Sequence, residues 1–485
     1  MPTPRLRRVS LVALVGMLAC GAGCGGSAKR PAPKRPAEVV LRTEADDRRV
    51  GEDAAKEVEA ELGLVTQPEL VGYVNRIGER LLRFAPQRDF SYRFYIVDQE
   101  APNAFALPGG QIYVSRGLLL LANSEDELAN VIGHEIVHAA LRHASARQSV
   151  VRSIPGLFQF SAAGMIASYS RNQEREADRE GQILAGRAGY DPGGMATFLK
   201  GLDYTERLRF GASRLPGFFD THPTTGDRTA EATARARAIG WQAQPPIAGD
   251  SAGYLARIDG LAVGTRASEG VFQKDRFLHS ELDLALRFPE GWETHNTRRA
   301  VGAVSPKRDA QVFLEVQGKG EDPIAAEQDY LASDEATGLR LEGPPQPIRL
   351  GAIEAARGVG GAQTPAGPVR AHITLIAYQG TIYRLIGLSV SPSSARYAGV
   401  FVSVARSFRP LTPRERESIR ETRLRIVPAR AGESLREISN RTGNRWNVQE
   451  TAVMNDLFAD APLREAQLVK VAVSERYEGS PPPAR

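Results

Sequence analysis

The sequence predicts an α+β protein built from several domains. Long amphipathic helical patterns dominate its first half, and one short alternating stretch there indicates a small sheet. The second half instead contains several strand patterns separated by turn residues. The chain has 485 residues, whereas a domain commonly has about 100 to 200. We therefore expect about three domains rather than one continuous core.

The composition is that of a soluble globular protein. Hydrophobic residues make up 42% of the chain and charged residues 25%, which excludes a disordered protein and a membrane protein with many spans. The net charge of +5 arises from 62 basic and 57 acidic residues that are mixed along the sequence. Because no basic patch stands out, we expect no nucleic-acid partner.

The N-terminus has the pattern of an export signal. Three arginines, Arg5, Arg7 and Arg8, precede the apolar run 11–19 and a group of small residues. A membrane-spanning helix needs about 20 apolar residues, and this run is much shorter. The pattern therefore predicts an exported protein.

Both cysteines of the chain, Cys20 and Cys24, stand at the end of this segment, so a disulfide framework is excluded. The small residues before them resemble a bacterial lipobox, in which the cysteine carries a lipid. We therefore expect a lipoprotein signal peptide over 1–24, a flexible tether over 25–44 and a periplasmic protein that is lipid-anchored to the outer membrane. A plain cleaved signal peptide is the alternative.

Residues 45–240 predict a mainly helical first domain with a small sheet. Phe90 to Val97 alternates as a strand, and residues 103–107 and 111–115 flank a Pro-Gly-Gly turn that favours a hairpin. The 103–107 strand is expected to offer an exposed sheet edge. Such an edge can bind an extended substrate through main-chain hydrogen bonds that do not depend on its side chains.

A helix with a strong start signal follows the hairpin. Ser124 and Glu127 have the spacing of a capping box, and the apolar residues behind them predict a helix that extends to about Arg147. A second apolar stretch, 154–167, is expected to form a buried helix, with a surface lid near the cleft as the alternative.

This helix carries the sequence His-Glu-Ile-Val-His at 134–138. Residues four apart share one helix face, so His134 and His138 can bind one metal ion while Glu135 projects beside it. Zinc accepts imidazole nitrogen and, in catalytic sites, takes three protein ligands and a water. His143 is expected to point away from this face and not to bind the metal.

The third ligand is expected at the start of a second helix, because no histidine follows at the spacing of a metzincin. Glu174 and Asp178 lie one helical turn apart in the acidic run 170–178. One carboxylate can bind the metal and the other can orient or protonate a neighbouring group. An acidic run is more often a solvated helix face, which is the alternative.

Four motifs together resemble a known family. After His-Glu-x-x-His come Ser-Arg-x-x-Glu-x-Glu-Ala-Asp at 170–178, Gly-Tyr-Asp-Pro at 189–192 and Thr-His-Pro at 221–223. They are similar to the zinc peptidases of the CAAX-prenyl-protease and HtpX heat-shock type, and most of all to the periplasmic BepA-like branch. The resemblance covers about residues 45–240, and it implies a gluzincin fold.

The resemblance also implies roles for single residues. It implies one zinc ion with three protein ligands, His134, His138 and Glu174. It further implies that Glu135 is the general base and that Asp178 is catalytic. His222 is our candidate for a donor to the oxyanion. Alternatively, His222 is only a residue at a helix start before Pro223, or it occupies the open zinc position of a latent enzyme.

The rest of the chain predicts three further segments. Residues 241–270 are rich in glycine and proline and are expected to be a linker. Residues 271–410 predict an α+β domain in which Phe-Pro-Glu-Gly-Trp resembles sheet domains of the PsbP type. Residues 420–475 predict strand, helix, helix, strand and resemble a LysM module, which binds peptidoglycan. Glu433 stands where that module has an aspartate, so a divergent module kept for packing is the alternative.

The predicted function is that of a metalloendopeptidase that cuts unfolded or misassembled envelope proteins. A chaperone or scaffold tethered by lipid and peptidoglycan, with latent protease activity, is the alternative from another class. A zinc-dependent cell-wall hydrolase is a weaker one. Intact Glu135 and Asp178 favour the peptidase, because a pure scaffold has no need of a general base.

Overall fold

The computed structural model describes residues 43–144, 169–208, 218–222, 228–333, 336, 338–364 and 367–479. The expected signal peptide, residues 25–42 of the expected tether and the apolar stretch 154–167 lie outside these residues. Thr43 and Glu44, expected at the end of the tether, are instead the N-cap and first residue of a helix. Within the described ranges, no helix combines the length and the apolar character that crossing a bilayer requires.

The first region is mainly helical, as predicted, and its elements form a large hydrophobic core and a smaller one that both include residues of a small sheet. In chain order they are α1 (Glu44–Leu62), α2 (Pro68–Leu82), β1 (Arg93–Val97), β2 (Ala104–Leu107), β3 (Gln111–Ser115), α3 (Arg116–Leu121), α4 (Glu125–Ala140), α5 (Arg171–Arg187), α6 (Gly194–Leu208), α7 (Phe218–Thr221) and α8 (Arg228–Ala238).

The small sheet has the strand order β1, β3, β2, so β2 lies at an edge. The predicted hairpin is confirmed, because β2 and β3 pair antiparallel on either side of the turn. Gly109 and Gly110 adopt φ values of 83° and 88° there, a conformation that residues with a side chain rarely adopt. β1 begins at Arg93 rather than at Phe90 and pairs parallel with β3.

Helix α4 starts where it was predicted and ends earlier. Ser124 accepts a hydrogen bond from the Glu127 amide (3.2 Å), but the Glu127 carboxylate binds the Asn123 amide (2.8 Å), so only half of the expected capping box forms. The helix ends at Ala140 instead of near Arg147. The physical reason is local, because Arg142 has a φ of 55°, which is incompatible with a continuing α-helix.

Helices α4 and α5 cross at very short range. A Cβ atom added to Gly181 would lie 2.8 Å from the backbone nitrogen of His134, which is closer than real Cβ contacts. Gly133 on α4 faces the same point of α5. Glycine at this crossing therefore lets the two backbones approach, and that approach places the polar side chains of both helices next to one another.

The expected linker 241–270 is not a free connection. It contains helix α9 (Ser251–Ile258), and both Tyr254 and Ile258 are buried in the first core. The Tyr254 hydroxyl donates to the carbonyl of Leu119 at 2.9 Å. Apolar side chains among the glycines and prolines explain the difference, since they gain free energy by packing against α2 and α3.

The second region contains two antiparallel sheets and two main helices. Its elements are β4 (Val271–Gln273), β5 (Arg276–His279), β6 (Leu284–Arg287), β7 (Glu293–Asn296), β8 (Ala300–Val304), β9 (Ala310–Lys319), α10 (Pro323–Leu331), β10 (Arg340–Leu341), β11 (Gln346–Leu350), β12 (Ile353–Thr364), β13 (Gly367–Tyr378), β14 (Thr381–Val390), α11 (Ser394–Arg406) and β15 (Arg409–Pro410). The larger sheet has eight strands and the smaller has four. The whole described chain is thus mixed α+β, as predicted.

The C-terminal region has the predicted order of strand, helix, helix, strand. After α12 (Pro413–Ser418) it comprises β16 (Arg420–Pro428), α13 (Leu435–Thr442), α14 (Val448–Met454) and β17 (Leu468–Arg476), with the two strands paired antiparallel. It packs against the first region through Lys470, which is fully buried. The Lys470 ammonium donates to the carbonyls of Leu120, Leu121 and Ala122 at 2.8 to 3.1 Å, which satisfies the C-terminal end of α3.

Candidate metal centre

Helices α4 and α5 bring the predicted site residues to one buried place. Helix α4 supplies His134, Glu135 and His138, and α5 supplies Glu174 and Asp178. Each of these side chains is at most 1% exposed. Ser170 caps α5 through a complete capping box, so the helix begins at Arg171 and Glu174 lies in its first turn. The acidic run is therefore not a solvated helix face at Glu174 and Asp178.

Four side chains direct one donor atom each toward a common point. Nε2 of His134 and Nε2 of His138 are 2.9 Å apart, and Nε2 of His138 is 3.4 Å from Oε1 of Glu174. Nδ1 of His222 lies 3.0 Å from that oxygen and 3.2 Å from His134 Nε2. All four donor atoms lie within 4.8 Å of one another. Imidazole nitrogens with a carboxylate oxygen are the donor set that zinc takes in proteins, so these residues fit zinc.

The charges around this point are strongly coupled. Burial acts to raise the pKa of Glu174, but the nearby His222 and hydrogen bonds from His138 and His222 outweigh it and hold that pKa well below its ordinary value. Burial, aided by His134, lowers the pKa of His138. A Glu174 carboxylate that stays ionised beside a His138 imidazole that stays neutral is a protonation state that suits the binding of a cation.

Glu135 differs from the other acidic groups of the site. Among the described residues, neither of its carboxylate oxygens has a hydrogen-bond partner, although the side chain is fully buried. The nearest cationic group is His222, whose Nε2 is 3.4 Å from Oε1. Burial raises the pKa of Glu135 above its ordinary value, against the opposing effect of His222 and His134. A raised pKa and free lone pairs suit a group that accepts and returns a proton.

Asp178 lies behind the donor cluster rather than within it. Its Oδ1 is 3.0 Å from Nδ1 of His134, the ring nitrogen that faces away from the cluster. Arg228 on α8 binds both oxygens of Asp178, at 2.7 and 2.9 Å, and its third nitrogen is 3.0 Å from Oε2 of Glu174. Burial acts to raise the pKa of Asp178, but Arg228 and His134 together hold it below its usual range.

Arg228 is a residue of the site that the sequence analysis missed. It is 3% exposed and bridges Asp178 and Glu174. Its position six residues after His222 was the available signal, because the Thr-His-Pro motif had already been singled out. A single arginine in a polar segment does not otherwise distinguish itself from a surface residue.

The segment 218–222 closes the site from the side of the small sheet. Nε2 of His222 is 3.2 Å from the carbonyl oxygen of Ala104 on β2, and the Phe218 amide donates to the carbonyl of Pro102. All four residues of β2 are buried. The expectation of an exposed edge at 103–107 is therefore wrong for this conformation, because the 218–222 segment covers the edge near Ala104.

His143 is not part of the donor cluster, in agreement with the prediction. Its Nδ1 instead lies 2.9 Å from Nδ1 of His138, on the side of that ring that faces away from the cluster. This contact was not predicted, because a helix continuing past Ala140 would carry His143 away from His138.

Comparison with known proteins agrees with this geometry. A model of peptidase family M48 matches residues 68–167 and 151–236, which include α4, α5 and His222. This part of the chain belongs to peptidase family M48. The M48 domain is a metalloprotease domain of a zinc-dependent family.

Individual relatives match the same share of the chain. The mitochondrial metalloendopeptidase OMA1 of Schizosaccharomyces pombe is 29% identical over 200 residues, which cover 38% of this chain and 58% of that protein. The beta-barrel assembly-enhancing protease of Escherichia coli is 30% identical over 213 residues, covering 39% and 43%. The chain thus spans about half the length of the curated relatives that it matches.

Solved structures add little to the M48 assignment. The cyanobacterial PsbP protein of Synechocystis covers 31% of this chain and 99% of its own length, with 11% identity and a TM-score of 0.25. A likeness at that TM-score carries no argument. The PsbP-type resemblance of residues 271–410 therefore stays a prediction.

Proposed function

We propose that this protein is a zinc-dependent endopeptidase that hydrolyses peptide bonds in unfolded or misassembled envelope proteins. The observation that carries the proposal is Glu135, a buried carboxylate that has no hydrogen-bond partner among the described residues and lies beside donor atoms of zinc-binding type. A structural metal site has no use for such a group, since leaving a carboxylate without a partner in the interior costs stability. A hydrolase needs it as the general base.

In the proposed mechanism, His134, His138 and Glu174 hold the zinc ion. A zinc ion held there would supply a Lewis acid, which would polarise the scissile carbonyl and lower the pKa of a water molecule toward neutrality. Glu135 accepts the proton of that water and delivers it to the leaving amine. Its raised pKa serves the first step, because a carboxylate with a higher pKa is a stronger base.

Asp178 has a positioning role in this mechanism. Because it faces Nδ1 of His134, it fixes the tautomer that leaves Nε2 free to bind zinc. Arg228 holds Asp178 in place and keeps it ionised. Asp178 thus remains important, as predicted, but it acts through the zinc ligand His134.

His222 has two possible roles in the proposal, and its contacts favour one of them in this conformation. As the donor to the oxyanion, it would present a ring N–H to the developing negative charge. In the structure its Nδ1 joins the donor cluster instead, 3.0 Å from Glu174. That placement supports the latent state, in which His222 takes the ligand position that a catalytic zinc site keeps open.

The proposed substrate is an extended segment of polypeptide that adds to β2. The strand lies at a sheet edge next to α4, and main-chain pairing there would be indifferent to substrate sequence. Segment 218–222 must first leave this edge, because it covers the Ala104 carbonyl. The relatives named beta-barrel assembly-enhancing protease support an envelope substrate.

The proposal places the protein in the bacterial periplasm. We propose a lipid at Cys20 or Cys24 as its link to the outer membrane and the C-terminal region as a LysM-like contact to peptidoglycan. Phe458 supports the second contact, because its side chain is 78% exposed and aromatic rings stack on sugars. Glu433 instead binds Arg441 at 2.8 and 2.9 Å, a packing role that also suits a divergent module.

The test is cleavage of casein by the full zinc-loaded chain beside the Glu135→Gln variant. We expect a loss of about 100-fold or more, because a general base contributes at least that factor. Glu327→Gln is the matched control, since Glu327 is also a buried glutamate whose oxygens lack hydrogen-bond partners within the described part of the chain, but it lies in α10 of the second region. It should cleave as the wild type does.

Each outcome of this assay is informative. Equal activity of wild type and Glu135→Gln, both with bound zinc, would contradict the peptidase proposal and favour the chaperone or scaffold. An inactive wild type beside an active His222→Ala variant would support the latent state. Release of sugar fragments from peptidoglycan without casein cleavage would instead favour a cell-wall hydrolase.

A further inference from the structure

The two histidines that α4 contributes to the donor cluster, His134 and His138, have different groups in contact with the ring nitrogen that faces away from the cluster. His134 faces the carboxylate of Asp178, which is itself bound by Arg228. His138 faces another imidazole, that of His143, with 2.9 Å between the two Nδ1 atoms. The group that contacts Nδ1 of His138 is thus an imidazole rather than a carboxylate, yet it occupies the same position relative to the ring.

The hydrogen positions along this second arrangement follow from chemistry. If Nε2 of His138 binds zinc, the proton of that ring is on Nδ1, and Nδ1 must donate. Nδ1 of His143 is the atom within reach, so it must accept, and the proton of His143 is then on its own Nε2. That nitrogen lies 3.5 Å from Oε2 of Glu176, a carboxylate acceptor. In this series of contacts, His138 therefore donates to His143, and His143 donates toward Glu176.

The backbone is shaped to produce this contact. Helix α4 ends at Ala140, and Arg142 adopts a φ of 55°, which turns the chain back so that the His143 amide donates to the carbonyl of His138. Such a conformation is uncommon for a residue with a side chain. Here the Arg142 guanidinium is fixed by Asp47, at 2.5 Å, and by the carbonyl of Thr43. The turn is thus stabilised by contacts to α1.

The ring plane of His138 is set independently. Tyr169 stacks on it with 3.7 Å between ring centroids and 20° between the planes. Stacking restricts the tilt of the imidazole but permits a 180° flip, which would exchange Nδ1 and Cδ2. A hydrogen bond to Nδ1 prevents that flip. His143 thus supplies the one constraint on His138 that Tyr169 cannot supply.

We propose that His143 is a positioning residue of the zinc site, which holds His138 in the tautomer and orientation that present Nε2 to the metal. Glu176 in turn orients His143, more weakly, because its side chain is 46% exposed. This inference rests on the proposed ligand set of His134, His138 and Glu174. It adds a residue to which neither the M48 match nor the sequence motifs assign a role.

The test is the zinc affinity of the full chain, measured by competition with a chromophoric chelator, for two substitutions of His143. His143→Leu removes the acceptor, and we expect zinc to bind about 10-fold to 100-fold more weakly, as for other groups that orient a ligand. His143→Gln restores an acceptor oxygen and should recover most of the affinity. Glu176→Gln should have a smaller effect than His143→Leu.

A matched control separates this role from a loss of packing. His372→Leu makes the same change in the second region, at a partly buried histidine whose ring nitrogens have no hydrogen-bond partner among the described residues. It should leave zinc affinity unchanged. The unfolding temperature of the metal-free protein should be the same for His143→Leu and His143→Gln, because the two side chains differ in their hydrogen bonding and not greatly in size.

The outcomes distinguish this inference from the proposed function. If the wild type binds zinc no more tightly than His138→Ala, the ligand set itself is wrong. If the wild type binds tightly and His143→Leu binds equally well, the positioning role is wrong. Equal weakening by Leu and Gln, together with equal loss of metal-free stability, would also overturn it, since packing alone would then explain the result.

Discussion

The metal centre and the second region both bury charged groups, but they arrange them differently. In the second region Arg384 binds Glu315 at 2.6 Å and lies over the ring of Tyr330, and the buried Glu327 has no hydrogen-bond partner among the described residues. In the metal centre, four donor atoms converge within 4.8 Å. In the part of the chain that the structure describes, this is the one such group of histidines and acidic residues. Convergence, rather than burial of charge, distinguishes a functional site.

The largest effect should come from removing a buried arginine in each region. Arg228→Met removes the guanidinium that binds both Asp178 and Glu174, and we expect the opening free energy of α4 and α5 to fall by about 3–5 kcal/mol. Arg384→Met removes the guanidinium that pairs with Glu315, and its effect should be confined to β9 and β14. Amide hydrogen exchange measures both.

The two arginine variants should also differ in zinc binding. Arg228→Met should lose zinc affinity, because Asp178 and Glu174 are no longer held in place, whereas Arg384→Met should bind zinc as the wild type does. Equal zinc affinity of the two variants would show that Arg228 is only a packing residue and would remove the difference between the regions.

Removal of zinc should affect the metal centre alone. A chelator leaves the converging donor atoms without a cation. At a free zinc concentration 100 times the dissociation constant, the bound ion adds about 2.7 kcal/mol to the free energy of unfolding, and chelation removes this contribution. Hydrogen exchange of α4 and α5 should therefore accelerate on chelation, while β13 and β14 stay unchanged. Acceleration in both regions would indicate that they unfold as one unit.

A pH-dependent effect is expected at Glu327, where burial raises the pKa to about 7 from an ordinary value of 4.5. Between these two pH values the folded chain holds a proton that the unfolded chain has released. The contribution of Glu327 to the free energy of unfolding is therefore present at acid pH and is lost as the pH rises through 7.

Glu327→Gln should abolish this pH dependence, because an amide does not titrate. We expect the variant to be more stable than the wild type at pH 8 and to differ less from it at pH 5, as measured by hydrogen exchange of α10. A variant with the wild-type pH profile would mean that Glu327 ionises normally in the folded protein.

Local patterns account for the parts of this protein that the sequence predicted well. The capped helix, the 134–138 motif and the hairpin depend on residues close together in the chain, where spacing determines geometry. Glu174 was predicted from a one-turn spacing and a family resemblance. The structure brings it within 3.4 Å of His138, so the expected ligand set is geometrically consistent.

Contacts between distant segments account for the features that the sequence did not predict. Arg228 reaches Asp178 across 50 residues, and Lys470 reaches Leu120 across 350, so neither partner can be identified from spacing. The end of α4 depends on Arg142, whose unusual φ is stabilised by α1. The burial of α9 depends on a core that the loop-like composition of 241–270 does not reveal.

The most direct test of the proposed metal centre is the zinc content per chain of the purified full-length protein beside His134→Ala and Glu135→Gln. We predict about one zinc ion per chain for the wild type and for Glu135→Gln, and far less for His134→Ala, because Glu135 is next to the donor cluster but is not a ligand. A wild type without zinc, or a His134→Ala variant that retains a full equivalent, would contradict the site.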